Sequence, residues 1–430
     1  LEANINLVWV MLGTVLVFFM HAGFTMVETG FTRSKNSLNI IMKNFLTISL
    51  GAIIYFIVGY GIMFGTSAGG FIGTDGFFLS GVEDIGFFIF QAMFAATCAT
   101  IISGAVAERV KIHSYLLLTI VMTALIYPIV GHWVWGGGWL SELGFVDFAG
   151  STVVHLTGAV GAVAAVLLLG PRIGKYSNNG KSNVIPASNV PLGALGVFFL
   201  WFGWFGFNGG SALAADTTVV PHVISTTMLS ASAAIVISAL YSQLRYKKMD
   251  ASLTLNGALG GLVGITAGTA DVSLMGSIII GLVSGIVLVE GVTFIDHKMK
   301  LDDPVGAIAV HGLCGIWGTL AVGLFATNGG LFYGGGAELL GIQAIGVLAA
   351  TIWTLLAVFI VFGLIKVVTG VRVSEEEEIA GLDFAEHGSQ AYELKDIMIN
   401  TPQNQPKVAS SGSTLIERLN SLPNMEAGPK

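Results

Sequence analysis

The chain has 430 residues, of which 54% are hydrophobic and only 10% charged, whereas soluble domains carry about a quarter charged residues. That balance excludes a soluble globular protein and makes the chain a polytopic membrane protein. The net charge of -7 comes largely from the tail and outer loops, so it points to no partner surface and to no nucleic acid. Cys98 and Cys314 both fall in apolar runs and read as small core residues, not as a disulfide framework.

Apolar runs of about 17 to 25 residues read as membrane spans, and eleven are found, at 6–30, 39–64, 85–107, 115–131, 151–169, 192–210, 221–243, 254–270, 276–296, 305–326 and 344–368. All 19 lysines and arginines flank alternate loops or lie in the tail. Because basic residues favour the cytoplasmic side, the N-terminus is expected outside and the C-terminus inside. The expected fold is all-α, with five spans plus five related by an inverted repeat, and an added eleventh.

The first span carries His21 and Glu28 and ends in GFTRSKN, Gly30 to Asn36. A carboxylate in a span normally faces the bundle interior or a wet cavity. Here Arg33 and Lys35 follow within a turn or two, so Glu28 is read as their snorkelling partner at the inner interface. In the third span FQAMF places Phe90 and Phe94 at i and i+4 on one helix face. They either fill the core and contact lipid, or line a pore. The same span closes with AERVK, where Glu108 and Arg109 read as an inner-boundary anchor.

The next outer loop, GHWVWGGGW, is either an interfacial aromatic belt or a cation site. Its glycine triplet leaves the Trp135 indole uncovered, and an open indole face attracts a small cation. Span five opens with DFAGSTVVH, Asp147 to His155, which recurs as DDPVGAIAVH, Asp302 to His311, with Asp147 over Asp303 and His155 over His311 at an offset of 156 residues. In each copy an Asp suited to capping a helix precedes a His by eight residues. Eight residues at about 1.5 Å each carry each imidazole about 12 Å inward, so entry from opposite faces of a core of about 30 Å brings the two together near the midplane. Glycines 158 and 161 on one helix and 315 and 318 on the other are expected to let the two helices cross closely.

The longest polar loop between spans, Pro171 to Ser188, joins the two halves. Span six contains GWFGFNGGS, whose glycines suit close helix packing and whose Phe207 and Ser211, again i and i+4, suit an apolar plug and an acceptor at the outer mouth. Glu290 is read as structural. Beyond Arg372 the acidic segment Ser374 to Leu394 is expected to dock on the basic inner loops. Asn400 to Ser413 reads as a linker, and Thr414 to Leu422 as a short amphipathic helix with a Thr414–Glu417 capping box. The corresponding division is a transmembrane domain over 1–370, a cytoplasmic regulatory region over 371–394 and a linker-like tail over 395–430.

Taken together, GFTRSKN, FQAMF, AERVK, WVWGGGW, DFAGSTVVH, GWFGFNGGS, DDPVGAIAVHG and GLDFAEHGSQAY resemble the ammonium transporter family, Amt/Mep/Rh, in order and approximate spacing over about residues 5 to 394. The resemblance implies a homotrimer in the cell membrane with one pore per subunit. It implies an outer ammonium site at Trp135, Phe94 and Ser211, a gate of Phe94 stacked on Phe207, a pore-lining Trp204, and a twin-histidine pair, His155 and His311. Asp147 matches a structural Asp near the outer site, with Phe90 beside it. Two positions depart from some members: Gly306 stands where they have a second acidic residue, and Glu28 where they have Tyr.

The function expected is an ammonium transporter or channel that recruits ammonium at the outer aromatic site, deprotonates it and conducts ammonia past the histidines. The alternative is an ammonium sensor that uses the same fold to signal through its cytoplasmic extension to a fused module. A regulatory protein of the PII type is an expected partner at the inner face. No nucleophile with a base in reach and no metal-ligand spacing beyond the two histidines is present, so neither an enzyme nor a cofactor is expected.

Overall fold

A computed structural model describes residues 1–392. The linker at 400–413 and the helix expected at 414–422 lie outside the described residues. Among the described residues ten helices are long and apolar enough to cross a membrane: α1 Glu2–Phe31, α2 Ser34–Phe64, α3 Ile85–Ala105, α4 Ile112–Leu143, α5 Ser151–Leu169, α6 Val190–Gly210, α7 Val219–Tyr246, α9 Leu274–Met299, α10 Ile308–Phe325 and α11 Glu338–Val368. The run expected at 254–270 is a shorter apolar helix of 16 residues, α8 Ala251–Thr266. Helices dominate because a chain in hydrocarbon must satisfy every backbone N–H and C=O within itself. Two strands of two residues each, Ser67–Ala68 and Ile72–Gly73, form a hairpin in the loop after α2.

The largest boundary difference is at α4. It was expected to stop at 131 but runs to Leu143 with a break at 135–138, carrying Trp133 and Trp135 on its extension. Helices α1 and α6 touch backbone to backbone. A Cβ on Gly30 would stand 2.4 Å from the amide N of Gly193, and one on Gly13 3.0 Å from Cα of Gly210. This contact lets small residues replace side-chain packing and brings the aromatic face of α6 inward.

The repeated helices α5 and α10 begin alike. Each opens with a π-helical turn, Ser151–Leu156 and Ile308–Leu313, after a glycine with positive φ, 113° at Gly150 and 78° at Gly306. Of the four glycines expected to let these helices cross, Gly315 does so, since a Cβ there would meet the Ser151 carbonyl at 2.8 Å. Gly158 and Gly161 instead pack on Cys98, Ile101 and Ile102 of α3, and Gly318 packs on Gly264 of α8. The expectation fails for these three because each faces a third helix. Cys98 and Cys314 are both free and buried.

At the end that carries the basic residues, here the tail side, a buried ionic network ties the halves together. Glu108 pairs with Arg33 and, at 3.3 Å, with Arg172, whose guanidinium also holds Asp302 at 2.8 Å. Arg109 donates to the carbonyls of Ala105, Ala107, Gly170 and Asp302. The pair read as a boundary anchor is thus a fully buried hub. Burial by itself would raise the Asp302 carboxyl, but the Arg172 hydrogen bonds and the charges of Arg109 and Arg172 outweigh it and hold Asp302 at about 2.

The segment after Arg372 folds back onto this surface as two short helices, α12 Glu375–Ala380, started by a Ser374–Glu377 capping box, and α13 Leu382–His387. Glu378 accepts from Arg372 and from the amide of Ile173, both at 2.7 Å, while Asp383 accepts from the amide of Asn39 at 2.9 Å. Lys35 donates to the carbonyls of Glu378 and Ile379. Glu290 bonds Tyr241 and Arg245 at the surface.

The anchoring expected of Glu28 is not found. Arg33 is taken by Glu108 and Lys35 by carbonyls of the tail, so neither reaches it. Glu28 is buried and accepts from Ser103 Oγ at 2.8 Å. The reason is geometric: the helix ends at Phe31, and the chain turns its basic residues away from the face that bears Glu28.

Candidate functional site

Asp147 organises the entry of α5. Its Oδ1 accepts from the amides of Gly150 and Ser151, and its Oδ2 from those of Thr152 and Val153, all at 2.9 Å. Those four donors are among the amides that a helix start leaves without intrahelical partners. Asp303 repeats the arrangement for α10, accepting from Val305, Gly306 and Ile308. The Ser151 hydroxyl then donates to the Val263 carbonyl and accepts from the Ala267 amide, fixing α5 on α8. Both imidazoles therefore sit on helices whose starts are rigidly held.

On the side opposite the tail, the Trp135 indole donates to the Asp147 carbonyl at 2.7 Å, which sets the plane of the ring. Trp135, Phe94, Phe90, Phe148 and Ser211 line a vestibule of about 320 Å³. The Ser211 hydroxyl donates to the Phe207 carbonyl at 2.8 Å, so its oxygen keeps lone pairs to offer. Gln91 also lines this vestibule, buried, with Oε1 lacking a protein partner. Sequence reasoning missed it. The available signal was its place three residues before Phe94, on the same helical face.

Below the vestibule the rings form a file. Phe94 and Phe207 lie 4.1 Å apart between centroids at 30°, and Phe90 packs on Phe94 at 4.7 Å. Phe207 stacks on His155 at 5.3 Å, and Trp204 stacks on the same imidazole at 5.0 Å while donating to Thr266 Oγ1 at 2.9 Å. His155 and His311 are stacked at 18° with Nδ1 atoms 3.1 Å apart. Since two neutral imidazoles must contribute one donor and one acceptor to that contact, they share one proton across it, and a tautomer change moves it. His155 Nε2 is buried without a protein partner.

Seven of the residues named from the sequence make a continuous run of neighbours: Trp135, Ser211 and Phe94 at the vestibule, then Phe207, then His155 with Trp204, then His311; Phe90 packs beside Phe94, and Asp147 stands outside the run as the cap of α5. The other histidines serve locally. His132 bonds the Met63 carbonyl and Ser67, and His222 the Val272 carbonyl. Among the described residues no group of three or more His, Cys, Asp or Glu is placed to hold a metal ion.

The family model for the ammonium transporter family matches residues 8–392. The chain belongs to that family. As a member it is 43% identical over 417 residues to the ammonium transporter Amt2 of Archaeoglobus fulgidus, covering 91% of this chain and 89% of the relative. It is 36% identical to ammonium transporter 3 of Dictyostelium discoideum, covering 91% and 95%. Among solved structures, a sensor Amt protein is 43% identical with a TM-score of 0.87, covering 90% of this chain and 99% of that one. Mep2 of Candida albicans is 29% identical with a TM-score of 0.81, covering 93% and 92%. This ammonium transporter family member is accordingly a multi-pass membrane protein.

Proposed function

We propose that this protein carries ammonium nitrogen across the cell membrane along the line from Trp135 to His311. The observation that carries the proposal is the placement of the stacked imidazoles directly behind the closed Phe94–Phe207 pair. Ammonium is recruited in the vestibule by cation–π attraction to Trp135 and Phe94 and by the Ser211 oxygen. A bare ion within the bilayer costs several kcal/mol at least, more than the ~0.5–2 kcal/mol that one cation–π contact returns. Ammonium therefore gives a proton to water in the vestibule before the gate, ammonia passes, and the imidazoles offer it hydrogen bonds or relay the proton. Potassium has no proton to give and stops at the phenyl rings. In this reading the vestibule faces outside and the tail inside, the active form is a homotrimer, and the docked segment after residue 370 is a regulatory region that a protein of the PII type can address.

Currents from reconstituted protein on a solid-supported membrane test the reading. Ammonium pulses should give a saturable current and equal potassium pulses none, with H155A and H311A each reducing the ammonium flux by tenfold or more. Parental flux in both variants would remove the mechanism. A second reading, a sensor, is favoured by the likeness to a sensor Amt protein. It predicts silence in the current assay together with ammonium binding that disappears in W135L.

A further inference from the structure

Trp204 sits one turn from Phe207 on α6, and a single hydrogen bond sets the plane of its indole. The ring N–H donates to Thr266 Oγ1 at 2.9 Å, and an indole has no other donor. Thr266 is the last residue of α8. Its own hydroxyl proton goes to the Leu262 carbonyl one turn back at 2.7 Å, a common bond for a threonine inside a helix, so its lone pairs are left for Trp204. Because α8 ends here, the Thr266 carbonyl is one of those with no partner within the helix. It accepts the amide of Ala149 at 3.2 Å, just ahead of the start of α5 at Ser151. One residue thus holds two elements: its side chain holds Trp204, and its backbone holds the turn that leads into the helix carrying His155. Trp204 and Thr266 are both fully buried, so water competes with neither bond.

His155 has few tethers of its own. Its Nδ1 meets Nδ1 of His311 at 3.1 Å, and its Nε2 has no protein partner. Rotation of the ring about Cβ–Cγ, a broad and shallow torsion, carries Nδ1 away from that contact. Stacking opposes the rotation: the Trp204 ring lies 5.0 Å away at 18° to the imidazole, and Phe207 5.3 Å away at 28°. The backbone beside Trp204 is fixed, since a Cβ on Gly203 would stand 2.8 Å from the Leu16 carbonyl of α1. What remains free is the rotation of the indole itself, and the Thr266 hydroxyl removes it.

We propose that Thr266 is a positioning residue for the histidine pair: its hydroxyl fixes the Trp204 indole, and the indole holds the His155 imidazole in the plane that keeps its Nδ1 on that of His311. The inference rests on the reading that the substrate passes this pair. Thr266 acts through Trp204, so its loss lowers turnover and leaves recruitment at the vestibule alone. Valine keeps the shape of threonine without an acceptor, whereas serine keeps the hydroxyl.

The test compares T266V with T266S in the full chain reconstituted in lipid. T266V should lower the maximal ammonium current by about fivefold or more while the half-saturating concentration stays within about twofold of the parent, and T266S should stay within about twofold in both. In a W204F background, which lacks the indole donor, adding T266V should change the current by less than about twofold. Solid-state NMR of protein with isotope-labelled histidine reads the geometry directly: a coupling between the two Nδ1 atoms through their shared proton is expected in the parent and in T266S and is absent in T266V. A parental current in T266V, a loss in T266S as large as in T266V, a full further loss on adding T266V to W204F, or an unchanged coupling in T266V each overturns the inference. Should T266V fail to reach the membrane, T266A takes its place with the same readings. A parent chain with no current refutes transport, and the NMR comparison then decides the positioning by itself.

Discussion

Removing the Asp147 carboxylate should destabilise the protein more than any other single-residue change at the site, and the geometry gives the size. The carboxylate accepts four backbone amides at 2.9 Å, two on each oxygen. D147N keeps one carbonyl oxygen and turns an amide NH₂ toward the other two donors. Each buried donor left unsatisfied costs about 1–3 kcal/mol, so D147N should lose about 2–6 kcal/mol and D147A up to about twice that. The larger figure approaches the total stability of an ordinary domain, about 5–15 kcal/mol. Asp303 accepts three amides at 2.7 to 3.3 Å, so D303A should cost less than D147A. Scanning fluorimetry of the purified protein should place D147N about 5 °C or more below the parent and D147A lower still. Because the Trp135 indole is fixed by the Asp147 carbonyl, surviving D147N protein should also need more ammonium for half-saturation. Melting temperatures for both Asp147 variants within about 1 °C of the parent, or a larger loss in D303A, would refute the capping argument.

The other predictions concern the gate, the ionic hub and the docked segment. F207A removes the ring that covers His155, and potassium pulses should then give a current at least about a tenth of that from ammonium; continued silence to potassium would show that the phenyl stack does not select. Asp302 is held at about 2, below its usual 3.8, so it contributes stability of about 2 kcal/mol that is fully present above pH ~4 and lost as pH falls through 2. Melting curves between pH 5 and pH 2.5 should flatten in D302N relative to the parent, though from a lower starting stability, because the buried Arg172 loses the closer of its two carboxylates and keeps only Glu108. E378Q weakens the bonds to Arg372 and Ile173, and limited proteolysis should cut after Arg372 severalfold faster, with no change in cleavage at the exposed Lys247 and Lys248.

Much of the fold was legible because a bilayer leaves so few solutions. Apolar runs of span length became helices, and the repeated Asp-to-His spacing put two capped helix starts and two imidazoles in matching places. The failures have a common cause, which is that proximity in sequence did not predict proximity in space. Glu28 was assigned to Arg33 and Lys35, five and seven residues on, yet its partner is Ser103 on α3. Gly158, Gly161 and Gly318 looked like a crossing motif, but their faces meet α3 and α8. Gln91 was passed over between two phenylalanines that drew attention to the apolar character of the helix. The π-helical turns leave no mark in a pattern where nearly every side chain is apolar, since periodicity needs contrast to be read.

Those turns at Ser151–Leu156 and Ile308–Leu313 bear on how the repeat can vary. A π turn holds one residue more than an α turn over the same rise, so everything beyond it is rotated by about 100° relative to an uninterrupted helix. Deleting a single residue from one turn alone would restore the regular winding in that half, swing the downstream face by this angle and leave the other half unaltered. The imidazole register is thus a phase shared by two helices that enter from opposite sides. A length change that either half tolerates alone breaks the match, and only a paired change keeps it.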